Sequence, residues 1–176
     1  MTEQSNTGAD SGKPAVPAHG LRWAIKASFV GYVMRMSDGR AYVSSGAGVT
    51  EGNELVFPLE SDSGDAGERV FSFGGKVTFT GHFGMLYVQI AHPRITIRDG
   101  AGELTVTNPE SEDGERLPLA TVEFTAPASE DGTERWDSTL VRLTPQGVAL
   151  FGDVYQPGEP LEPMTIVLPL SEPGSR

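Results

Sequence analysis

Val70-Phe71-Ser72-Phe73-Gly74-Gly75-Lys76-Val77-Thr78-Phe79-Thr80-Gly81-His82-Phe83-Gly84-Met85-Leu86-Tyr87-Val88-Gln89-Ile90 decides the fold class. Lys76, Thr78 and Thr80 alternate with Val77 and Phe79, the period of a strand with one buried face. The glycines on either side of His82-Phe83 supply the backbone freedom of a tight reversal, and residues 85–90 run back as a second strand. If the alternation holds to the tip, His82 belongs to the more polar face, at a constrained strand end. The same grammar extends outward. Short runs at residues 41–43, 53–58, 93–98, 102–107, 119–125, 136–143 and 164–168 read as strands, with an acidic loop over residues 60–68. With 22 Gly and 13 Pro in 176 residues, turn formers punctuate the whole chain. The expectation is a mainly β, antiparallel, sandwich-like single domain with one or two short helices. One helix is placed after Thr144-Pro145, an N-cap followed by a proline at the first helical position, and it stops at Gly152. Residues 1–20 read as a disordered leader, 21–170 as the folded domain and 171–176 as a tail.

Composition excludes several function classes. Thirteen basic against 24 acidic residues give a net charge of −11, which repels nucleic acid and anionic membrane surfaces. A local basic pocket could still hold an anion, because distant carboxylates are screened beyond roughly 8 Å. The absence of cysteine removes disulfides, thiolate metal sites and thiol catalysis together. No apolar run is long enough to span a membrane or serve as an export signal, so the chain as numbered is expected in the cytoplasm. No Gly-x-Ser-x-Gly elbow occurs, and His19, His82 and His92 lack a matching Asp/Ser arrangement for a hydrolytic triad. Gly46-Ala47-Gly48 lacks the further glycine and the helix of a phosphate-binding loop, and Ser61-Asp62-Ser63-Gly64-Asp65 only loosely suggests a calcium loop. No catalytic residue is expected.

The second informative stretch is Arg22-Trp23-Ala24-Ile25-Lys26-Ala27-Ser28-Phe29-Val30-Gly31-Tyr32-Val33-Met34. Read as a strand, it buries Trp23, Ile25, Ala27, Phe29 and Val33, and turns Lys26, Ser28, Val30, Tyr32 and Met34 the other way. Read as a helix, Ser28 and Tyr32 stack at i and i+4. Either way two oxygens face one site. Together with His82 they form a phenol, imidazole and hydroxyl set. A phenol and an imidazole are what a ferric haem site without thiolate can use, with the phenolate as axial ligand. A free phenol ionises near pH ~10, but bound ferric iron favours the phenolate and a neighbouring imidazole N–H would steady it.

The chain also resembles the HtaA domain of actinobacterial haem-uptake proteins. The resemblance runs through Trp23-Ala24-Ile25-Lys26-Ala27-Ser28-Phe29 with Tyr32-Val33, then Val77-Thr78-Phe79-Thr80-Gly81-His82 with Gly84, Leu86 and Pro93-Arg94-Ile95. It ends on Leu143-Thr144 to Phe151-Gly152 with Tyr155. It implies a non-enzymatic domain that binds one haem b for capture, storage or transfer. Tyr32 would be the axial iron ligand, His82 its hydrogen-bond partner and Ser28 a haem contact, and the stretch from Trp23 to Tyr32 would then be a short helix or irregular rather than a strand. Phe29, Val30, Met34, Phe83 and Met85 are candidates for the apolar slot. Lys26, Arg35 and Arg94 are candidates beside Ser28 for the propionates. Met34 and Met36 read better as core fillers than as iron ligands. Members of the family are usually exported or held at the cell surface, which the cytoplasmic expectation departs from. A tyrosine-ligated haem enzyme is the alternative within haem chemistry. A haem-free adhesion or carbohydrate-binding module, with Tyr32, Tyr42, Tyr87 and Trp136 as platforms, is the alternative outside it. Another haem-handling protein is the expected partner.

Overall fold

Gly74 and Gly75 divide what the sequence presents as one long strand. Gly75 has φ 95°, and a Cβ there would stand 2.9 Å from the Ala47 Cβ, so only glycine fits the corner. The chain before the corner, β5 (Arg69–Phe73), joins one sheet, and the chain after it, β6 (Lys76–Gly81), joins another. This computed structural model describes residues 16–65 and 67–170. Of the leader expected over residues 1–20, residues 1–15 lie outside the described residues, as does the tail over 171–176, and Gly20 already belongs to a strand.

The other strands are β1 (Gly20–Trp23), β2 (Arg40–Ser44), β3 (Gly48–Val49), β4 (Leu55–Gly64), β7 (Leu86–Ala91), β8 (Arg94–Arg98) and β9 (Ala101–Thr107). They continue with β10 (Arg116–Phe124), β11 (Ala128–Glu130), β12 (Thr133–Leu143) and β13 (Met164–Pro169). The supposed acidic loop over residues 60–68 is mostly strand: β4 runs on to Gly64 because Ser61 to Gly64 pair with β5, and the Asp62 carboxylate meets Arg69 of β5 at 3.0 Å. β11 likewise forms between the runs 119–125 and 136–143, pairing with Thr133 to Arg135.

The main sheet runs β1-β13-β12-β10-β9-β8-β5-β4, and β1 pairs with β4 as well as with β13. Leu21 faces Phe57 on one side and Ile166 on the other, so the ring closes with eight antiparallel strands. The mainly β, antiparallel expectation holds, and sandwich-like approximates a closed barrel. At eight strands the interior is just wide enough for side chains to fill it. Leu21, Trp23, Phe57, Phe71, Ile95, Leu104 and Ile166 are fully buried there. Closure also leaves these strands without unpaired edges.

A three-stranded sheet, β2-β6-β7, packs beside the barrel. Val77 pairs with Ile90 and Phe79 with Val88, and all four side chains are buried on one face. Two short helices, Ala27–Arg35 and Pro145–Leu150, complete the domain. Among the described residues no helix is long and apolar enough to cross a membrane.

Candidate functional site

The strand reading of the second stretch holds only to Trp23. Ile25 turns the chain with φ 67°, and a helix starts at Ala27. Lys26 at the N-cap makes no side-chain cap bond. The cap comes from a distant residue: a Glu162 carboxylate oxygen accepts from Ala27 N–H at 2.9 Å. Glu162 is itself fixed, its carbonyl accepting from Trp23 Nε1–H at 2.8 Å and its N–H donating to the Ile25 carbonyl at 2.8 Å. A carboxylate at a helix N-terminus meets both the free N–H groups and the positive end of the helix dipole. The helix buries Phe29 and Val33, four positions apart, while Ala27 is exposed rather than buried as the strand reading had it. Tyr32 follows Phe29 by three positions and so stands on the flank of the buried stripe, 45% exposed.

His82 comes from the tip between β6 and β7. The strand ends at Gly81, and His82–Gly84 form a short 3-10 turn. His82 therefore takes its direction from a positive φ of 48°, not from the strand alternation. The turn brings its Nε2 to 2.7 Å from the Tyr32 hydroxyl, with ring centroids 5.9 Å apart at 58°. The two Asp38 carboxylate oxygens accept from His82 N–H at 3.2 Å and Phe83 N–H at 2.6 Å. Chiefly through the Phe83 N–H, this holds the Asp38 carboxyl below its ordinary pKa.

Tyr32 and His82 line an open cavity of about 630 Å³, within the roughly 300–1,000 Å³ usual for small-molecule sites. Its floor is an aromatic stack. Phe29 stands edge-on to Phe79 at 5.2 Å and to Phe151 at 5.1 Å, and Phe151 to Tyr155 at 6.0 Å. Such edge-to-face pairs fix ring orientations beyond what burial alone does. Phe151 is placed by the second helix, where the Thr144 hydroxyl accepts from Gly147 N–H at 2.8 Å and donates to the Pro118 carbonyl at 2.7 Å. Phe83 and Met85, 92% and 89% exposed, stand at the mouth. Glu110 is a lining carboxylate.

Of the expected site residues, Tyr32 and His82 are brought together. Ser28 is exposed one turn before Tyr32 and lies beside the phenol of Tyr155, which lines the cavity. Burial pushes the Tyr155 phenol above its ordinary pKa, against the nearby Lys26 charge, so it stays a neutral donor. Phe29, Phe83 and Met85 line the cavity; Val30 and Met34 do not. Lys26 is committed to Glu159 at 3.0 Å and lies 5.2 Å over the Tyr155 ring. Arg94 bonds Ser72 on β5 and is not a lining residue, nor is His92. Trp136 is buried between Phe71 and Phe124, so it is no surface platform. Sequence reading missed the roles of Asp38, Glu110 and Glu162. Phe151 and Tyr155 stood in the stretch that carried the family resemblance, without an assigned role.

The HtaA family model, described as Htaa, matches residues 18–167. The chain is similar to the C-terminal domain of HtaA from Corynebacterium glutamicum, with 27% identity, a TM-score of 0.74, and coverage of 89% of this chain and 98% of that one. The N-terminal domain of the same protein shares the fold at 22% identity and a TM-score of 0.70, over 90% and 100% of the two chains. So does the heme binding protein HtaB from Corynebacterium glutamicum, at 22% identity and a TM-score of 0.63, over 85% and 91%. No curated protein matches the chain. With the model spanning nearly all of the described residues, this chain belongs to the HtaA family.

Proposed function

We propose that residues 21–170 bind one ferric haem b, with the Tyr32 phenolate on the iron and His82 hydrogen-bonded to that oxygen, and hold it for capture, storage or transfer without chemical change. The observation that carries this reading is the 2.7 Å approach of His82 Nε2 to the Tyr32 hydroxyl at the wall of an open aromatic cavity. The family resemblance, and a heme binding protein of the same fold, support the ligand class.

The residues fit the group. Ferric iron prefers a hard anionic oxygen, and among the described residues this cavity offers a phenol and no thiolate. The imidazole beside it can donate Nε2–H once the phenol ionises, orienting the ligand as second-sphere partners of metal ligands do. The Phe29 and Phe151 rings supply the apolar walls a porphyrin plane needs. For the propionates, the Ser28 and Tyr155 hydroxyls are donors, and Arg35 lies on the same helix as Ser28, while Lys26 is held by Glu159. The lining Glu110 would repel a propionate placed beside it.

Hemin titration tests the reading. A Soret band that saturates at one equivalent, and that is lost or shifted in Tyr32→Ala, is expected. Saturation with an unchanged spectrum in Tyr32→Ala removes the ligand assignment, and no saturable band removes the haem reading altogether.

A further inference from the structure

The tip that carries His82 is nearly bare. Phe83 and Met85 beside it are almost wholly exposed, and a Cβ added at Gly84 would meet nothing within 4 Å. Yet His82 and Phe83 are consecutive non-glycine residues with φ of 48° and 55°, a region that side chains disfavour. Such a turn persists only where its surroundings hold it. What holds it is Asp38, in the loop between the first helix and β2. Each carboxylate oxygen takes one of the two tip N–H groups. The loop is in turn pressed onto the helix that carries Tyr32, for a Cβ at Gly39 would lie 1.8 Å from the Val33 carbonyl oxygen. One carboxylate thus ties the element bearing the phenol to the element bearing the imidazole.

We propose that Asp38 is a positioning residue, a latch that fixes the hairpin tip so that the His82 imidazole stays on the Tyr32 oxygen, and thereby sets how long haem is retained. The haem part of this rests on the proposed function above; the tip geometry does not. Because its carboxyl is held below the ordinary value, Asp38 is ionised and acceptor-only at neutral pH. Asparagine keeps one acceptor oxygen and turns an NH₂ toward the other N–H, so Asp38→Asn should fall between the parent and Asp38→Ala.

Two measurements on the full chain test the latch. In ligand-free protein, the Phe83 amide proton should move upfield in Asp38→Ala, with the His82 ring resonances broadened; an unchanged Phe83 amide and His82 ring overturns the latch. In hemin-loaded protein, release to excess apomyoglobin should be about ten-fold faster in Asp38→Ala, in the range found for second-sphere residues. In a His82→Ala background the same substitution should add nothing, because Asp38 acts through His82. Release at the parent rate, or effects of the two substitutions that multiply, overturns the positioning role. If the parent shows no Tyr32-dependent hemin band, the haem reading fails, and the amide and ring spectra alone decide whether Asp38 holds the tip.

Discussion

At the scale of single residues, the proposed haem site divides the work between Tyr32 as iron ligand and His82 as its support. Removing the support should weaken haem retention without abolishing it: His82→Ala is expected to release hemin roughly 10–100-fold faster, measured by transfer to apomyoglobin. Asp38 carries a pH signature. Its carboxyl is depressed, first by the Phe83 N–H and also by the His82 charge. A depressed carboxyl stabilises the fold above its unfolded value and loses that contribution as pH falls through the folded one. The thermal-melting gap between the parent and Asp38→Asn should therefore not shrink from pH 8 to 5, and should close below about pH 4. Ser28 and Tyr32 were legible as a pair because four-residue spacing keeps them on one side of either a helix or a strand. His82 was legible from its flanking glycines. Asp38 was not: Ser37-Asp38-Gly39-Arg40 reads as an ordinary turn, and its bonds reach 44 and 45 residues along the chain.

At the scale of elements, the two helices differ in what announces them. Pro145–Leu150 carries its own start signal in Thr144 and Pro145, and the structure shows that cap bond made. Ala27–Arg35 has no cap of its own and a glycine at its centre, so its period-two residues read as a strand. Its N-terminal carboxylate arrives from Glu162, which local sequence cannot reveal. Glu162→Ala should lower stability by about 0.5–2 kcal/mol, as loss of an N-cap does, seen as a lower midpoint in chemical denaturation. An unchanged midpoint would show that the backbone bonds at Glu162 suffice. The hairpin of β6 and β7 was legible from alternation, whereas the corner at Gly74-Gly75 was hidden because apolar alternation resumes on both sides of it.

At the scale of the whole molecule, a closed barrel and a sandwich share one strand pattern, one face inward and one outward, so alternation alone cannot choose between them. Closure depends on β1 finding two partners, Leu55 to Pro58 and Met164 to Val167, both distant in sequence. That closure is also what sets the site. β1 leads directly into the segment that Glu162 caps, and the three-stranded sheet then presents its tip to the helix's exposed flank. The central claim is a bond between the Tyr32 phenolate and ferric haem iron. Resonance Raman spectroscopy of the hemin-loaded protein tests it most directly: iron-coupled phenolate ring modes should appear in the parent and vanish in Tyr32→Phe. Their absence from the saturated parent, or their survival in Tyr32→Phe, would contradict it.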